Sequence, residues 1–268
     1  MPKFTDQSYL KTDQYKDSSN LDARVNIHAR FSTNPYGWFN WVFDTLAKLP
    51  AKAKILELGC GPAYMWKECS SRIPAGWDIT LSDLSAGMLD SAWRNLVVTG
   101  RAYNFKEIDA QSIPFADETF DAVIANHMLY HVPDKAKALT EIKRVLKTGG
   151  HFFATTVGDH HMQEITGWLE EISNGSYVSK VTVSFTLENG LELLKSFFSS
   201  VTISRYEDNL HVTELEPLFA YLRSMISFSE LQEDKLEKLK QELQVKLKQQ
   251  GEIFITKDSG LFEAVKLS

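Results

Sequence analysis

The chain has few cysteines: its 268 residues contain two, Cys60 and Cys69. Two cysteines cannot build the disulfide framework that stabilises small secreted domains. Their positions also match no metal-binding spacing, and no metal site is predicted. Because free thiols persist where the environment is reducing, we expect a cytoplasmic protein.

The sequence also lacks features that would direct it to nucleic acid, to a membrane or to export. It has no long Lys/Arg run and a net charge of −6, which disfavours nucleic acid as the main partner. No stretch approaches the roughly 18 apolar residues of a membrane span. Residues 1–17 are polar and lack the apolar core of a signal peptide. We therefore expect a soluble protein without a membrane partner.

Between residues 53 and 157, apolar runs typical of strands alternate with helical patterns. The runs predict strands at 54–58, 78–82, 102–108, 120–126 and 151–157, and helices at 64–71, 86–98 and 134–146. Such alternation predicts an α/β fold with a doubly wound, mostly parallel sheet. Ligands of these sheets bind at the carboxyl ends of the strands.

A glycine-rich turn follows the first predicted strand. Gly59 and Gly61 let the backbone approach a ligand closely, and the next helix offers unpaired N–H groups to an anion. Asp83 ends the second predicted strand, where a carboxylate can accept hydrogen bonds from ribose hydroxyls. These residues predict a nucleoside with a charged tail. Tyr64 replaces the third glycine of the G-x-G-x-x-G motif, which disfavours a nicotinamide dehydrogenase.

The pattern E-x-G-x-G-x-A, from Glu57 to Ala63, resembles the glycine loop of the class I S-adenosylmethionine-dependent methyltransferases. Ala63 stands where family members usually have a further glycine, and we expect its methyl group to narrow the loop slightly. The resemblance covers about residues 50–157 and is closest to the small-molecule branch related to ubiquinone-biosynthesis methyltransferases. It implies a Rossmann-like seven-stranded sheet and S-adenosylmethionine as the cofactor.

The resemblance also implies a role for each residue along the sheet edge. Asp83 would bind the ribose, with helix capping as its alternative role, and Asp109 would bind the adenine amino group unless it is an ordinary turn residue. Leu84 and Met88 would contact the adenine, with core packing as the alternative. The complete predicted set of cofactor-binding residues is Tyr15, Glu57, Gly59, Cys60, Gly61, Asp83, Leu84, Met88, Asp109, Ala110 and Asn126.

Histidines are the natural bases for removing a proton from a methyl acceptor. His127, His131 and His161 follow the fourth and fifth predicted strands and are the catalytic candidates, with His160 ranked below them. His127 and His131 are four residues apart, so a structural role in the turn and a metal site were the alternatives for this pair.

The remaining segments predict a division into four parts. Residues 1–50 would form an N-terminal helical lid and 51–157 the cofactor-binding core. Residues 158–250 would form a substrate cap and the remaining sheet elements, and 251–268 two hairpin-like strands that close the sheet. Thr213–Glu216 and Ser229–Gln232 match capping boxes at the starts of two cap helices. In the lid, His28 and Arg30 could contact cofactor or substrate. Phe31, Trp38 and Trp41 could line an acceptor pocket or attach the lid to the sheet.

The predicted function is methyl transfer by in-line displacement to an O, N or C atom of a small organic molecule. A methyltransferase acting on RNA or protein is the alternative enzyme, and a non-catalytic S-adenosylmethionine-binding regulator is the alternative outside enzymes. The small-molecule acceptor is the expected partner, and the chain would act as a monomer or homodimer.

Overall fold

A computed structural model of the chain describes residues 3–173, 184–225 and 233–267. Its strands are β1 (Lys54–Leu58), β2 (Asp78–Asp83), β3 (Asn104–Glu107), β4 (Phe120–Asn126), β5 (Leu146–Val157), β6 (Ser200–Tyr206), β7 (Asn209–Val212), β8 (Ile253–Thr256) and β9 (Ser259–Val265). Its α-helices are Gln7–Tyr9, Ser19–Phe31, Trp38–Thr45, Tyr64–Glu68, Ala86–Leu96, Lys135–Val145, Gln163–Ile172, Gly190–Lys195, Leu215–Arg223 and Glu233–Gln250.

Seven of these strands form one sheet in the order β3-β2-β1-β4-β5-β9-β6. Strands β1 to β5 pair in parallel, whereas β9 runs antiparallel to both β5 and β6. The chain reverses its direction of winding at β1, so the carboxyl ends of β1 and β4 flank the topological switch point where ligands bind. The predicted doubly wound, mostly parallel seven-stranded sheet is confirmed.

Burial along the strands follows from their places in this sheet. Four consecutive residues of the central strand β1, Ile55 to Leu58, are buried because helices cover both faces of the sheet. The edge strand β3 is largely exposed. The apolar layer on one face of the sheet includes Leu139 and Phe152. The other layer includes Phe43 and Trp66 from the N-terminal part of the chain.

The helix Lys135–Val145 shows how the sequence specifies these elements. Asp134 caps it by accepting a hydrogen bond from the backbone N–H of Lys137 at 2.9 Å. Leu139, Ile142 and Val145 lie on one helical face and are fully buried.

A third apolar cluster joins the N-terminal helix Ser19–Phe31 to the cap. Ile27 and Phe31 pack in it with Leu218 of the helix Leu215–Arg223 and with Leu239 and Leu243 of the last helix. The leucines of that last helix therefore face this cluster, with Leu236 and Leu247 partly buried beside it. Consequently the N-terminal helix and the cap form one layer above the sheet edge.

Two local expectations differ from the structure. The helix Leu215–Arg223 has Glu214 at its N-cap position without a side-chain capping bond, so Thr213 and Glu216 do not form the predicted capping box. The expected box Ser229–Gln232 lies outside the described residues.

The two C-terminal strands do not both close the main sheet. Strand β9 inserts between β5 and β6, but β8 pairs with β7 in a separate two-stranded sheet. Strands β8 and β9 therefore diverge instead of forming the expected hairpin. The turn between them, which includes Lys257, lies beside the cavity described below.

Among the described residues, no helix is both long enough and apolar enough to cross a membrane.

Candidate functional site

A cavity of about 760 Å³ lies at the carboxyl ends of β1, β2 and β4. The sheet edge forms one side of it, and the N-terminal helices and the cap form the other. All fourteen predicted cofactor-binding and catalytic residues line this single cavity. The structure therefore brings together side chains that are spread over more than a hundred positions of the sequence.

The glycine turn requires its glycines for two different reasons. Gly59 has a φ of +66°, and a Cβ atom there would lie 2.8 Å from Cβ of Met128. Gly61 has a φ of +52°, a left-handed conformation that side chains rarely adopt. Ala63 also has a positive φ of 59°, although it is not a glycine. The consequence of Ala63 is therefore backbone strain, whereas we expected its methyl group only to narrow the loop slightly.

Asp83 joins the end of β2 to the glycine turn. Its carboxylate accepts hydrogen bonds from the backbone N–H of Gly61 and of Ser85, each at 2.9 Å. Burial raises the pKa of this carboxyl above its usual value. The helix that follows is capped by Ser85, whose Oγ accepts from the N–H of Met88, so Asp83 is not the capping residue. Its carboxylate lines the cavity beside the turn.

Glu57 organises the floor of the cavity at the end of β1. One of its carboxylate oxygens accepts a hydrogen bond from Nδ2 of Asn126 at 2.8 Å, and the other accepts from the indole N–H of Trp66. Burial raises the pKa of the Glu57 carboxyl to about 7. Glu57 thereby holds the amide of Asn126, at the end of β4, beside the glycine turn. Trp66 completes this network, and the sequence patterns gave no indication of its role.

Asp109 follows β3 and accepts a hydrogen bond from Nε2 of Gln7 at 3.0 Å. Burial by itself raises the pKa of the Asp109 carboxyl. Hydrogen bonds from Gln111 and Gln7 lower it by a larger amount, so the pKa lies below its usual value. An ionised carboxylate at this place can accept a hydrogen bond from an amino group. Gln7 ties the first helix to the cofactor edge, a contact that no sequence motif marks.

Apolar side chains surround the stretch of cavity between Asp83 and Asp109. Met88, Ile108 and Ala110 are buried, and Leu84 is half-buried. The adenine prediction places a flat aromatic ring in this apolar stretch, and it stays a prediction. The buried thiol of Cys60 has a pKa raised by burial, so it stays neutral in the turn.

Tyr15 and His131 form a hydrogen-bonded pair above the turn. The phenol oxygen lies 2.8 Å from Nε2 of His131, while Nδ1 of His131 lies 2.9 Å from the carbonyl oxygen of Phe4. A carbonyl can only accept, so Nδ1 carries the proton and Nε2 accepts from the Tyr15 hydroxyl. Burial lowers the pKa of His131 to about 4, which keeps the imidazole neutral.

The other two candidate histidines differ in which nitrogen is available. Nδ1 of His161 accepts from the backbone N–H of Asp258 at 3.2 Å, so its remaining nitrogen, Nε2, carries the proton in the neutral ring. The His127 ring packs against Trp38, with ring centroids 5.3 Å apart, and forms no hydrogen bond with the described residues. Burial lowers the pKa of His127 to about 4 and that of His161 to about 3. His127 is therefore a neutral ring that lines the cavity and whose nitrogens have no hydrogen-bond partner among the described residues.

The structure does not support the metal alternative for His127 and His131. Both nitrogens of His131 are engaged, and the two residues do not lie on one helix because His131 ends a short 3₁₀ turn, Leu129–His131. The described part of the chain contains no group of three or more His, Cys, Asp or Glu side chains that could hold a metal ion.

The lid residues proposed from the sequence separate into two groups. Two of them, His28 and Trp38, line the cavity, and the other three, Arg30, Phe31 and Trp41, do not. The lower-ranked catalytic candidate outside the lid, His160, does not line the cavity either. Arg30 forms an exposed ion pair with Glu214, and Trp41 packs against the apolar layer of the sheet. For Trp41 the alternative role, attaching the lid to the sheet, is therefore the one observed.

Two cationic residues at the cavity carry no sequence signal. Lys257 lies in the turn after β8 and pairs with the buried carboxylate of Asp208. Arg24 reaches the cavity from the N-terminal helix. Both come from segments distant from the recognisable motifs, so a single sequence could not associate them with the site.

Known methyltransferases resemble this chain in sequence and in fold. Residues 56–154 match the family model described as a methyltransferase domain. A malonyl-[acyl-carrier protein] O-methyltransferase of Legionella pneumophila is 33% identical over 134 residues, which are 47% of this chain and 45% of that protein. The ubiquinone/menaquinone biosynthesis C-methyltransferase UbiE of Haemophilus ducreyi is 37% identical over 100 residues, which are 36% of this chain and 38% of that protein. The chain thus matches less than half the length of these two curated relatives.

Solved structures show the same fold over most of the chain. Phosphoethanolamine N-methyltransferase 2 of Haemonchus contortus, in complex with S-adenosyl-L-methionine, superimposes with a TM-score of 0.60 and 20% identity. That match covers 98% of this chain and 60% of the other. A methyltransferase-fold protein from Bacillus halodurans gives a TM-score of 0.60 over 86% of this chain and 99% of its own.

The core of this chain is therefore a methyltransferase domain of the class I S-adenosylmethionine-dependent family, related to the UbiE-type enzymes. The predicted cofactor, S-adenosylmethionine, is the cofactor of that family.

Proposed function

We propose that the whole chain transfers a methyl group from S-adenosylmethionine to an O, N or C atom of a small organic molecule. The observation that carries this proposal is the continuous cavity, which runs from the glycine turn to a chamber lined by His127, Trp38 and residues of the cap. One end of the cavity suits a nucleoside, and the other has room for a second molecule beside it.

The residues present fit the cofactor. Gly59 and Gly61 leave room that side chains would fill, Asp83 offers a carboxylate beside them, and Asp109 offers another at the far end of the apolar stretch. We assign Asp83 to the ribose, Asp109 to the adenine amino group, and Asn126 with the turn to the methionine end. S-adenosylmethionine, when bound, supplies a methyl group activated by its sulfonium charge.

The protein's own contribution is alignment, exclusion of water and removal of a proton. The N-terminal helix and the cap cover the sheet edge, so they hold an acceptor in line with the donor and away from solvent. His127 is best placed to take a proton from an O–H or N–H acceptor because its ring is neutral and unengaged by the described residues. Tyr15 provides a second route, since its hydroxyl can pass a proton to Nε2 of His131.

The covered chamber favours a small molecule over RNA or a protein segment. Its lining comes from the sheet edge on one side and from the N-terminal helices and the cap on the other, so an acceptor would lie between two layers of the same chain. The named relatives act on quinones and on a malonyl group, and the structural neighbour acts on phosphoethanolamine. These are acceptor classes to test first.

The test of the cofactor assignment is calorimetric titration with S-adenosylmethionine. Asp83→Ala should weaken binding at least tenfold, on the order of 1.4 kcal/mol, because a carboxylate acceptor is lost. The matched control is Asp90→Ala, which removes an exposed carboxylate that pairs with Arg94 within the helix Ala86–Leu96. Equal affinity of both variants and the native protein would overturn the ribose assignment.

The test of the activity is a screen of small metabolites with a radiolabelled methyl donor. We expect label to be transferred to at least one small acceptor, and His127→Ala to lower turnover while leaving donor affinity within about twofold. Binding of the donor without transfer to any acceptor, in the screen and in cell extract, would support the regulatory alternative.

A further inference from the structure

Arg24 is a guanidinium in the acceptor half of the cavity without a carboxylate partner in the described ranges. Its Nη2 donates to the carbonyl oxygen of Ser224 at 2.7 Å, and its Nε donates to Oγ of the same residue at 3.1 Å. Its Nη1 makes a long contact of 3.4 Å with the hydroxyl of Tyr15. No ion pair to Arg24 occurs among residues 3–173, 184–225 and 233–267.

Such a residue is costly unless something compensates its charge. An arginine cannot lose its proton in a protein, and a charge removed from water needs a counter-charge or several strong hydrogen bonds. The three partners above are all uncharged oxygens, and they use three of the five guanidinium N–H groups. Two N–H groups of Arg24 therefore have no partner among the described residues and could donate to a ligand.

The same helix face offers a second unsatisfied group. His28 is one turn after Arg24 and also lines the cavity, and its buried Nδ1 has no hydrogen-bond partner in the described structure. Residues at positions i and i+4 share a helical face, so both side chains are directed to the same space. Burial lowers the pKa of His28 well below its usual value, which leaves Arg24 as the charged group of the pair.

The position of Arg24 connects this charge to the transfer site. Its contact, Tyr15, bonds His131 through its hydroxyl and accepts a 2.7 Å hydrogen bond from Oγ of Ser85 through its carbonyl oxygen. Ser85 follows Asp83 at the end of β2. Arg24 is thus two contacts away from the cofactor edge, within reach of a small molecule held there.

The other cation of the chamber does not compete for this role. Lys257 is paired with Asp208, and both side chains are at most 6% exposed. Asp208 also accepts from Oγ1 of Thr33 and from the backbone N–H of Asn34, so this ion pair is an internal structural contact. Of these two cations, Arg24 is therefore the one that lacks a carboxylate partner in the described part of the chain.

We propose that Arg24 binds an anionic group of the methyl acceptor, a carboxylate or a phosphate, and so selects acidic small molecules as substrates. This inference rests on the proposed methyl transfer and adds the charge of the acceptor. A planar guanidinium binds either anion through two parallel N–H groups, so the two chemistries share one site. Arg24 would hold the acceptor without taking part in the bond changes.

The first experiment uses the full chain saturated with S-adenosylhomocysteine and two probes, inorganic phosphate and acetate. Binding of each probe is measured by calorimetry, with sodium chloride keeping the ionic strength constant. We expect at least one probe to bind and Arg24→Gln to weaken that binding at least about tenfold. The tighter probe identifies the anion. The matched control is Arg30→Gln, which removes an exposed arginine of the same helix and should change nothing.

The variant Arg24→Lys controls for the case in which Arg24→Gln loses binding because it unfolds. It keeps the positive charge but loses the paired N–H geometry, so we expect intermediate probe affinity and a normal circular dichroism spectrum. If neither phosphate nor acetate binds the native protein, or if Arg24→Gln binds them as well as the native protein does, the proposal is wrong.

The second experiment separates this inference from the proposed function. For an acceptor found in the methyl-donor screen, Arg24→Gln should raise KM at least about tenfold, and a neutral ester or amide of that acceptor should show no such difference. Transfer to neutral acceptors that is insensitive to Arg24 would overturn the anion proposal and leave methyl transfer intact. Absence of S-adenosylmethionine binding would instead contradict the proposed function itself.

Discussion

The two halves of the cavity differ in charge and in the way they are built. The cofactor half contains the carboxylates of Glu57, Asp83 and Asp109, each at the end of a strand. The other half, where we propose that the acceptor binds, contains Arg24, Lys257, neutral histidines and aromatic rings. They are contributed by the N-terminal helix, the cap and loops.

This difference follows from topology. Parallel strands place all their carboxyl ends on one edge, so a few residues after each strand automatically meet there. The acceptor half has no such rule, because its residues meet only when the N-terminal helix packs on the cap. One half of the site is therefore fixed by the shared core, and the other can change with the cap.

The largest expected effect tests how rigid the cofactor half is. Gly59→Ala forces a Cβ against Met128 and a residue into left-handed backbone, so we expect a loss of about 2–4 kcal/mol of unfolding free energy. Urea denaturation measures it. The matched control is Gly100→Ala, which has the same positive φ but nothing within 4 Å, and it should cost only about 1–2 kcal/mol. Equal losses would show that the contact with Met128 is unimportant.

Tyr15 lies where the two halves meet, and its hydroxyl tests their coupling. Tyr15→Phe removes the bond to His131 and the contact with Arg24, so we expect kcat to fall about 10- to 100-fold. Donor affinity should change less than about threefold, because the Tyr15 carbonyl that accepts from Ser85 remains. Steady-state kinetics and calorimetry distinguish the two effects. Tyr36→Phe alters an exposed phenol and serves as the control, and an unchanged kcat in Tyr15→Phe would exclude the relay.

The buried histidines predict how stability depends on pH. In the unfolded chain His131 titrates near 6.5, but in the folded protein its pKa is about 4. Between these values the unfolded state binds the extra proton, so folding stability decreases as pH falls below about 6.5. Urea denaturation at pH 7.5 and 5.0 should show a loss for the native protein that exceeds that of His131→Asn by roughly 1–2 kcal/mol.

Comparing the native protein with His131→Asn removes the contribution of Glu57, which opposes that of His131. The pKa of Glu57 is raised to about 7, so its protonation favours the folded state over part of the same range in both proteins. Identical pH dependence in native protein and variant would mean that His131 titrates normally. Histidine resonances followed by NMR would check the same pKa directly.

The smallest expected effect concerns the departure of the glycine loop from its family pattern. Ala63 is buried with a φ of 59°, so Ala63→Gly relieves left-handed strain but makes the unfolded chain more flexible. We expect a net gain of about 0.5–1 kcal/mol in thermal or urea denaturation. A loss of stability would show that the methyl group packs usefully in the loop.

Most of the sheet could be predicted from the sequence because its strands are continuous apolar runs bounded by glycine, proline or aspartate. The pairing of the last two strands could not be predicted. The segment 252–265 has the pattern of a hairpin, yet β8 leaves for a partner at 209–212, and no local signal specifies that distant pairing. Similarly, Thr213 and Glu216 have the spacing of a capping box, but the helix starts at Leu215 instead.

The sequence by itself determined the sheet, the glycine turn and the carboxylates at the strand ends, because strand periodicity and chain order place them without reference to the rest of the protein. Only the tertiary structure decided which residues face the acceptor. The proton positions on His131 and His161 and the hydrogen bonds of the Arg24 guanidinium depend on partners 97 to 200 positions away. Hydrogen bonding and charge compensation are properties of neighbours in space, and a single sequence does not reveal those neighbours.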